Sequence, residues 1–251
     1  MKKIFLDKRY IGIFLALILG VLFVGISLIA LNYLSGTPWY LFSSILRLLF
    51  GAGILFIVNK VYGKTVKQVL GFHNNKVALV SGIGFIVYFL YYAFVFAVGY
   101  EAIVNLPIGI LITKIILQQI TTGFYEELNY RLLILEGYSY GKRTIGRKIG
   151  YAFLSFVIFG LLHVVTGWNT YAFLQTGIIG FAFAVIYLNS GNIIIPMLLH
   201  FIYDIFANLA GGYIEWNNSS LFISVNSTFE IVLVVMFILS FALLFKKEIE
   251  R

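Results

Sequence analysis

The chain contains no cysteine and very little charge. The absence of cysteine excludes disulfides, thiolate metal sites and a thiol nucleophile. Only 11% of the residues are charged, whereas soluble domains average about a quarter. Residues 149–203 lack Lys, Arg, Asp and Glu altogether, which is too long a run for one buried helix of a soluble core. With no polar stretch long enough to fold alone, we expect a single all-α domain over residues 1–251, a polytopic helical membrane protein.

The apolar residues make up 61% of the chain and fall into segments of membrane-spanning length. They predict about eight transmembrane helices, over residues 10–34, 39–62, 77–100, 108–138, 149–166, 170–188, 193–210 and 228–245. The first segment is too long for a signal peptide, so we expect it to be retained. Small residues in the sixth segment, Gly177, Gly180 and Ala184, predict close contacts between helices.

The basic residues indicate how the chain is oriented. The net charge is +8, and fifteen of the 18 Lys and Arg residues lie at four places that share one side if the spans alternate. These are Lys2, Lys3, Lys8, Arg9, Lys60, Lys64, Lys67, Lys76, Lys142, Arg143, Arg147, Lys148, Lys246, Lys247 and Arg251. The positive-inside rule then places both termini in the cytoplasm. The charge thus reflects membrane topology rather than nucleic-acid binding, and the richness in Ile, Asn, Lys and Phe is typical of a bacterial cell-membrane protein.

Two adjacent carboxylates, Glu126 and Glu127, interrupt the fourth apolar span. An ionised carboxylate at the bilayer centre costs about 2.5 kcal/mol or more, so such residues usually serve a function. Arg131 follows Glu127 by four residues, in the favourable order for a helical ion pair. Glu126 points about 100° away around the helix. Two carboxyl groups in different environments suit acid–base catalysis, which makes Glu126 the candidate base and the pair of Glu127 and Arg131 its support.

Further polar residues extend this pattern along the same span. Lys114, Gln118, Thr122, Glu126 and Asn129 recur at helical spacing and should share one face toward the bundle interior or a water-filled cavity. Lys114, near the outer end of the span, either joins this face or extends its ammonium out of the membrane. For Gln118 and Thr122 a structural polar network is the favoured interpretation. Arg47 lies near the middle of the second span, where it should pair with a carboxylate or line a water-filled cavity. The sequence does not indicate which residue would be its partner.

The histidines add two more polar positions in apolar spans. His163 lies in the fifth span, and His200 and Asp204 share one face of the seventh. Counted along their helices, Glu126, His163 and His200 lie at comparable depths, so one shared site is allowed. His73 lies in a polar loop, where we expect it to be solvated and uninvolved.

These motifs together resemble the CAAX protease and bacteriocin-processing family, also called the Abi family. The resemblance rests on Glu126, Glu127 and Arg131, on Phe159 with His163, and on His200 with Asp204, and it covers about residues 108–210. It implies an intramembrane endopeptidase without a cofactor, whose site opens toward the cytoplasm. By this resemblance Glu126 and His163 would activate a water molecule, while His200 and Asp204 would stabilise the oxyanion.

The resemblance does not determine the substrate or the role of Asp204. The better-understood members carry Asn where this chain has Asp204, and an ionised Asp cannot donate a hydrogen bond. Asp204 would therefore be protonated, or it would orient His200. We expect the partner to be a peptide or membrane protein in the lipid bilayer; a prenylated substrate is not expected in a bacterium, and the oligomeric state is not predicted.

Three other functions are compatible with parts of the pattern. Two histidines and a glutamate could hold zinc in a metal-dependent hydrolase, although no His-Glu-x-x-His motif is present. A non-catalytic bacteriocin-immunity or partner-binding protein would keep the architecture without cleaving anything. A proton-coupled transporter would also use intramembrane Glu, Arg and His, but the chain lacks paired broken helices or internal halves.

Overall fold

The computed structural model describes residues 7–99, 106–213 and 219–246, and within them it shows helices and no strands. We number the helices of this described part in chain order. They are α1 (Lys8–Leu31), α2 (Gly36–Tyr62), α3 (Val66–Val69), α4 (Asn75–Ser81), α5 (Gly84–Gly99), α6 (Ile108–Ser139), α7 (Ile145–His163), α8 (Thr170–Ser190), α9 (Ile194–Tyr213) and α10 (Ser219–Leu244).

The helices are those of a multi-pass membrane protein. Seven of the described helices are long and apolar enough to cross a bilayer, and α4 with α5 makes an eighth span if the bent pair is one crossing. The sequence predicted one continuous span over residues 77–100. Instead, the pair bends by 60° at Gly82, where a side chain would meet Leu199 and Ile186 at 3.1 and 3.2 Å. Tyr100, the predicted end, lies outside the described residues.

The basic loops meet at one end of the bundle, which we call the basic end. There the Lys64 ammonium lies 2.7 Å from the Glu136 carboxylate near the end of α6. Lys148 at the start of α7 donates to the carbonyl of Lys246 after α10, at 3.2 Å. Alternating spans predict this shared end. The α7–α8 loop, residues 164–169, lies at the opposite end, because α7 runs away from the basic end.

The basic end is fastened by hydrogen bonds between its loops. Asn74, before α4, donates to the carbonyl of Ser190 at 2.8 Å. Asn192, in the α8–α9 turn, donates to the side chain of Asn75 at 2.7 Å. The turn itself is tight, since Gly191 ends α8 with φ +69° and favours the left-handed conformation at low cost. The bundle is therefore closed at this end.

The half of the bundle near the basic end is also the more closely packed. Residues 179–190 of α8 are all buried, whereas residues 170–176 of the same helix are exposed or half-buried. The predicted small-residue contacts are present here: a side chain at Gly177 would meet Phe156 at 2.7 Å, and one at Gly180 would meet Phe159 at 3.0 Å. These contacts hold α7 against α8.

Helix α6 is irregular where it carries the polar residues. Residues Gln118–Glu127 are α-helical, with π-helical segments Leu111–Leu117 before them and Leu128–Leu133 after them. Such π segments are frequent at functional sites. Gly123 brings α9 close, because a side chain there would meet the Met197 carbonyl at 2.9 Å. This contact places Glu126 and Glu127 opposite His200.

Candidate active site

A cavity of about 290 Å³ lies among α2, α6, α7, α8 and α9. Four residues singled out from the sequence line it: Glu126 from α6, His163 from α7, and His200 and Asp204 from α9. The structure therefore brings these side chains from three helices to one place. Their catalytic roles stay predictions.

His200 lies among three carboxylates. Its Nδ1 is 2.8 Å from Glu127 Oε1, and its Nε2 is 3.7 Å from Glu126 Oε2 and 3.6 Å from Asp204 Oδ2. The ring stacks on Phe183, with centroids 5.0 Å apart. An ionised Glu127 only accepts hydrogen bonds, so Nδ1 carries the hydrogen and Nε2 faces the cavity between the other two carboxylates.

Glu127 and Arg131 form the floor of the site toward the basic end. Arg131 Nε is 3.1 Å from Glu127 Oε2, as their spacing predicts, and both side chains are fully buried. The guanidinium also lies over the rings of Phe159 and Phe183, at 4.3 and 5.2 Å. The second carboxylate oxygen of Glu127 holds His200. This contact was not predicted from the sequence, because nothing in the spacing links residues 73 positions apart.

Glu126 and His163 present free atoms to the cavity. Glu126 Oε2 is buried and accepts no hydrogen bond from the described residues. His163, the last residue of α7, has Nδ1 at 2.7 Å from the Phe159 carbonyl. A carbonyl accepts only, so Nδ1 donates and the neutral ring keeps the Nε2 lone pair. Two acceptors thus come from different helices.

Arg47 lies in the cavity wall and balances its charge. The sequence left its partner open, and the structure shows that it lines the cavity with no carboxylate within 4.0 Å among the described residues. Its guanidinium donates to Ser43 Oγ and lies 5.1 Å from the Phe23 ring. Glu126 and Asp204 line the same cavity. Two guanidinium groups and one imidazole therefore accompany three carboxylates.

The predicted polar face of α6 is only partly present. Gln118, Thr122 and Glu126 line the cavity, but Lys114 lies over the Tyr213 ring at 5.7 Å, and Asn129 donates to the Ala16 carbonyl of α1 at 3.0 Å. The π-helical turns beside residues 118–127 alter the angular step per residue, so a face drawn with the α-helical period does not continue through them.

The hydrogen bonds of Gln118 and Thr122 support the prediction that these residues form a structural polar network. Gln118 donates to Ser43 of α2 at 3.2 Å, and Thr122 donates to the Gln118 carbonyl at 2.8 Å. Both side chains therefore have structural partners within and between helices.

His73 is not the solvated residue that its polar loop predicted. It is half-buried, and its Nε2 lies 3.1 Å from the Gly191 carbonyl, far along the chain. It does not line the cavity that holds Glu126 and His163. Glu136, a buried acid that no sequence motif indicates, lies at the basic end with Tyr187 and Lys64 as partners.

The zinc alternative needs at least three ligands on one ion. Among the described residues, no three His, Asp or Glu side chains have an arrangement that could hold a metal. The nearest set surrounds His200, which Glu127 already engages through Nδ1. A chelator test below addresses the metal directly.

Part of the chain matches the model of a known protein family. Residues 108–206 match the model of a family described as type II CAAX prenyl endopeptidase, Rce1-like. Over this segment the chain is similar to the Rce1-like family. The match, 99 of 251 residues, confirms the resemblance predicted from the three motifs. Searches of curated proteins and of solved structures gave no match.

The Rce1-like segment runs from the start of α6 to the middle of α9 and contains all three motifs. This similarity supports a membrane protease at the family level. Two cavity residues, Arg47 and Ala207, lie outside the matched segment. Arg47 of α2, which supplies positive charge to the cavity wall, therefore comes from a part of the chain that the family model does not cover.

Proposed function

We propose that this protein is an intramembrane endopeptidase that uses Glu126 and His163 to activate a water molecule. One observation carries the proposal: Glu126 Oε2 has no hydrogen-bond donor among the described residues and faces the same cavity as His163. A water between these two acceptors could donate one hydrogen to each. Its oxygen lone pair would then be free for attack.

The reaction needs only one proton shuttle. Glu126 takes a proton as the water oxygen adds to the scissile carbonyl carbon, and a tetrahedral oxyanion forms. Glu126 then passes this proton to the leaving nitrogen as the C–N bond breaks. The products are one new carboxyl group and one new amine. His163 keeps the water oriented through its Nε2 lone pair.

His200 is placed to stabilise the oxyanion. In the imidazolium form it donates from Nε2 into the cavity, while Glu127 holds Nδ1. Donors fixed before the reaction stabilise developing charge strongly in a site shielded from water. Asp204, 3.6 Å from the same Nε2, orients or charges this ring rather than donating itself.

The substrate that this cavity favours is a short extended segment of a membrane-associated peptide or protein. At about 290 Å³ the cavity is near the lower limit of ligand pockets, so a folded domain cannot enter. The name of the matching family refers to prenyl substrates. A bacterial membrane peptide is our proposal for this chain.

Replacing His163 tests the protease directly. We expect His163→Ala to lower cleavage at least about 100-fold, because the water loses one of its two acceptors. The experiment compares a deletion strain complemented with wild type, His163→Ala or His73→Ala, at matched membrane levels, by mass spectrometry of membrane and secreted peptides. His73→Ala also removes an imidazole, but outside the cavity, and should process peptides like wild type.

The same experiment separates the alternatives. If wild type and His163→Ala restore the same phenotype with identical peptides, the chain is a binding or immunity protein and the protease proposal fails. If a chelator abolishes processing and zinc restores it, the site is a protease of the metal-dependent type. In that case activation of the water by Glu126 and His163 without a metal would be wrong.

Asp204 can be tested through the Asn found in other members. If Asp204 acts by orienting His200 and shaping the cavity, Asp204→Asn retains the shape and a polar partner, and we expect activity within about tenfold of wild type. Asp204→Leu removes the partner and should lose at least about 100-fold. Cleavage rates on the peptide identified above provide the measurement; equal rates for the two variants would contradict the role.

A further inference from the structure

We infer that a groove between α1 and α7 at the basic end binds one phospholipid whose headgroup carries a net negative charge. The groove has a volume of about 500 Å³, which is within the usual range for ligand sites. It is separate from the cavity that holds Glu126, because the two share no lining residue. The inference therefore goes beyond the proposed protease function and does not depend on it.

The mouth of the groove is positively charged. Arg9, at the start of α1, and Arg147, in the first turn of α7, both line it. Arg9 is paired with Asp7, with 2.6 Å between Nε and Oδ2. Arg147 donates to backbone carbonyls at 2.6–3.3 Å, and in the described part of the chain no carboxylate lies within 4.0 Å of it. One positive charge is left without a counter-charge, and a phosphate group is the anion that arginine binds well.

Below the mouth the groove is apolar and continues to the depth of the lipid chains. Gly146, Gly150 and Leu154 line it at four-residue spacing on α7, and Ile13 lines it from α1. Both glycines are exposed, and a side chain at either would meet nothing within 4 Å. From Arg147 to Leu154 the helix rises about 10 Å, more than the about 5–7 Å that headgroups occupy on one side of a bilayer. A ligand that fills the groove must be charged at one end and apolar below it.

Contacts within the protein fix the walls of the groove. The hydroxyl of Tyr151 on α7 donates to the Arg9 carbonyl on α1 at 2.9 Å. Gly137 of α6 lies against the same carbonyl, where a side chain would not fit. Tyr10, 50% exposed, lies at the rim and is a residue type enriched at membrane–water interfaces. The groove is therefore formed before any ligand arrives.

A phospholipid matches both halves of the groove. A free phosphate ion would reach the two guanidinium groups but would leave the apolar half unfilled. The bilayer supplies molecules with a charged head and an apolar chain at this depth, and basic pockets between transmembrane helices bind anionic headgroups. A zwitterionic headgroup brings no net charge to the arginines, so the anionic lipid should be preferred.

Substituting a glycine tests the groove without changing any charge. Gly150→Leu fills the apolar half, and Leu favours a helix more than Gly does. Gly53→Leu on α2 is the matched control, because Gly53 is also exposed, has nothing within 4 Å of its added side chain and does not line the groove. The full-length protein in mild detergent is titrated with phosphatidylglycerol or phosphatidylcholine of the same acyl chains, and bound lipid is counted by native mass spectrometry.

We expect wild type and Gly53→Leu to bind one phosphatidylglycerol at least about tenfold more tightly than phosphatidylcholine. Gly150→Leu should lose this preference while its melting temperature in detergent is no lower than that of wild type. Inorganic phosphate at millimolar concentration should not displace the bound lipid, because it lacks the apolar part.

A second pair of variants tests the charge. Arg9→Gln combined with Arg147→Gln should bind the two lipids with equal affinity. Lys67→Gln combined with Lys76→Gln removes the same charge from exposed residues at the basic end that do not line the groove, and it should keep the preference. If the arginine variant does not fold, the comparison of Gly150→Leu with Gly53→Leu decides.

Four results would overturn the inference. Equal affinity of wild type for the two lipids would mean that the groove does not select charge, and an undiminished preference in Gly150→Leu would mean that the lipid binds elsewhere. Displacement by inorganic phosphate would make the groove a site for a soluble anion. Binding of neither lipid would mean that the protein itself fills the groove, for which residues 1–6, outside the described residues, are the candidates. None of these measurements involves cleavage, so their outcome is independent of the protease proposal.

Discussion

Glu126→Gln should abolish cleavage while the protein stays folded in the membrane. The substitution keeps the shape of the side chain and removes its ability to accept a proton. General-base catalysis contributes typically about 10²–10⁴-fold, so cleavage should fall by at least that factor. The 290 Å³ cavity and its other lining residues are unchanged, so substrate binding should persist. Single-turnover kinetics with the purified protein separates binding from chemistry.

A second glutamate provides the control for this experiment. Glu230 on α10 is exposed and does not line the cavity, so Glu230→Gln removes one membrane carboxylate without touching the site. It should cleave at the wild-type rate. Full activity of Glu126→Gln in the same preparation would show that another group takes the proton, and the assignment of the base would be wrong.

Glu127→Gln should damage stability as well as activity. Glu127 and Arg131 are both fully buried and 3.1 Å apart, so neutralising the acid leaves a guanidinium without its counter-charge. Breaking a buried ion pair in this way costs about 3–5 kcal/mol. We expect a loss of that size in the free energy of unfolding, measured by denaturant titration in detergent micelles.

Removing both charges distinguishes stability from catalysis. Arg131→Met alone leaves the buried Glu127 carboxylate with His200 as its remaining partner and should also destabilise the protein. The double variant removes both charges and should recover most of the loss. Cleavage should stay low in the double variant, because His200 no longer has a charged partner at Nδ1. If the loss of stability in the double variant equals the sum of the losses in the two single variants, the two residues do not act as a pair.

Several features of this protein can be predicted from its amino-acid sequence alone. Scarce charge, absent cysteine and long apolar segments determine a helical membrane protein, because backbone groups in a bilayer must be satisfied within helices. The ion pair of Glu127 with Arg131 follows from four-residue spacing, which places both on adjacent turns. The three motifs also identified the family that matches residues 108–206.

Other features depend on contacts that no local pattern encodes. Gly82, at the bend, packs against side chains of α8 and α9, and the polar face ends at Asn129 in a π-helical segment. Arg47 had no assignable partner until α2 was placed beside the cavity. Sequence spacing reports neighbours on one helix, but not which faces of different helices meet.

The sequence by itself therefore determined the membrane fold class, the loops that share an end, and the residue types of a candidate site, because these depend on hydrophobicity and helical periodicity. Only the tertiary structure decided that Glu127 holds His200 from below and that the cavity lies in the half opposite the basic end. The physical reason is packing. Gly180 lets α7 and α8 approach closely in the half near the basic end, and where that packing loosens, a space remains above the charged floor.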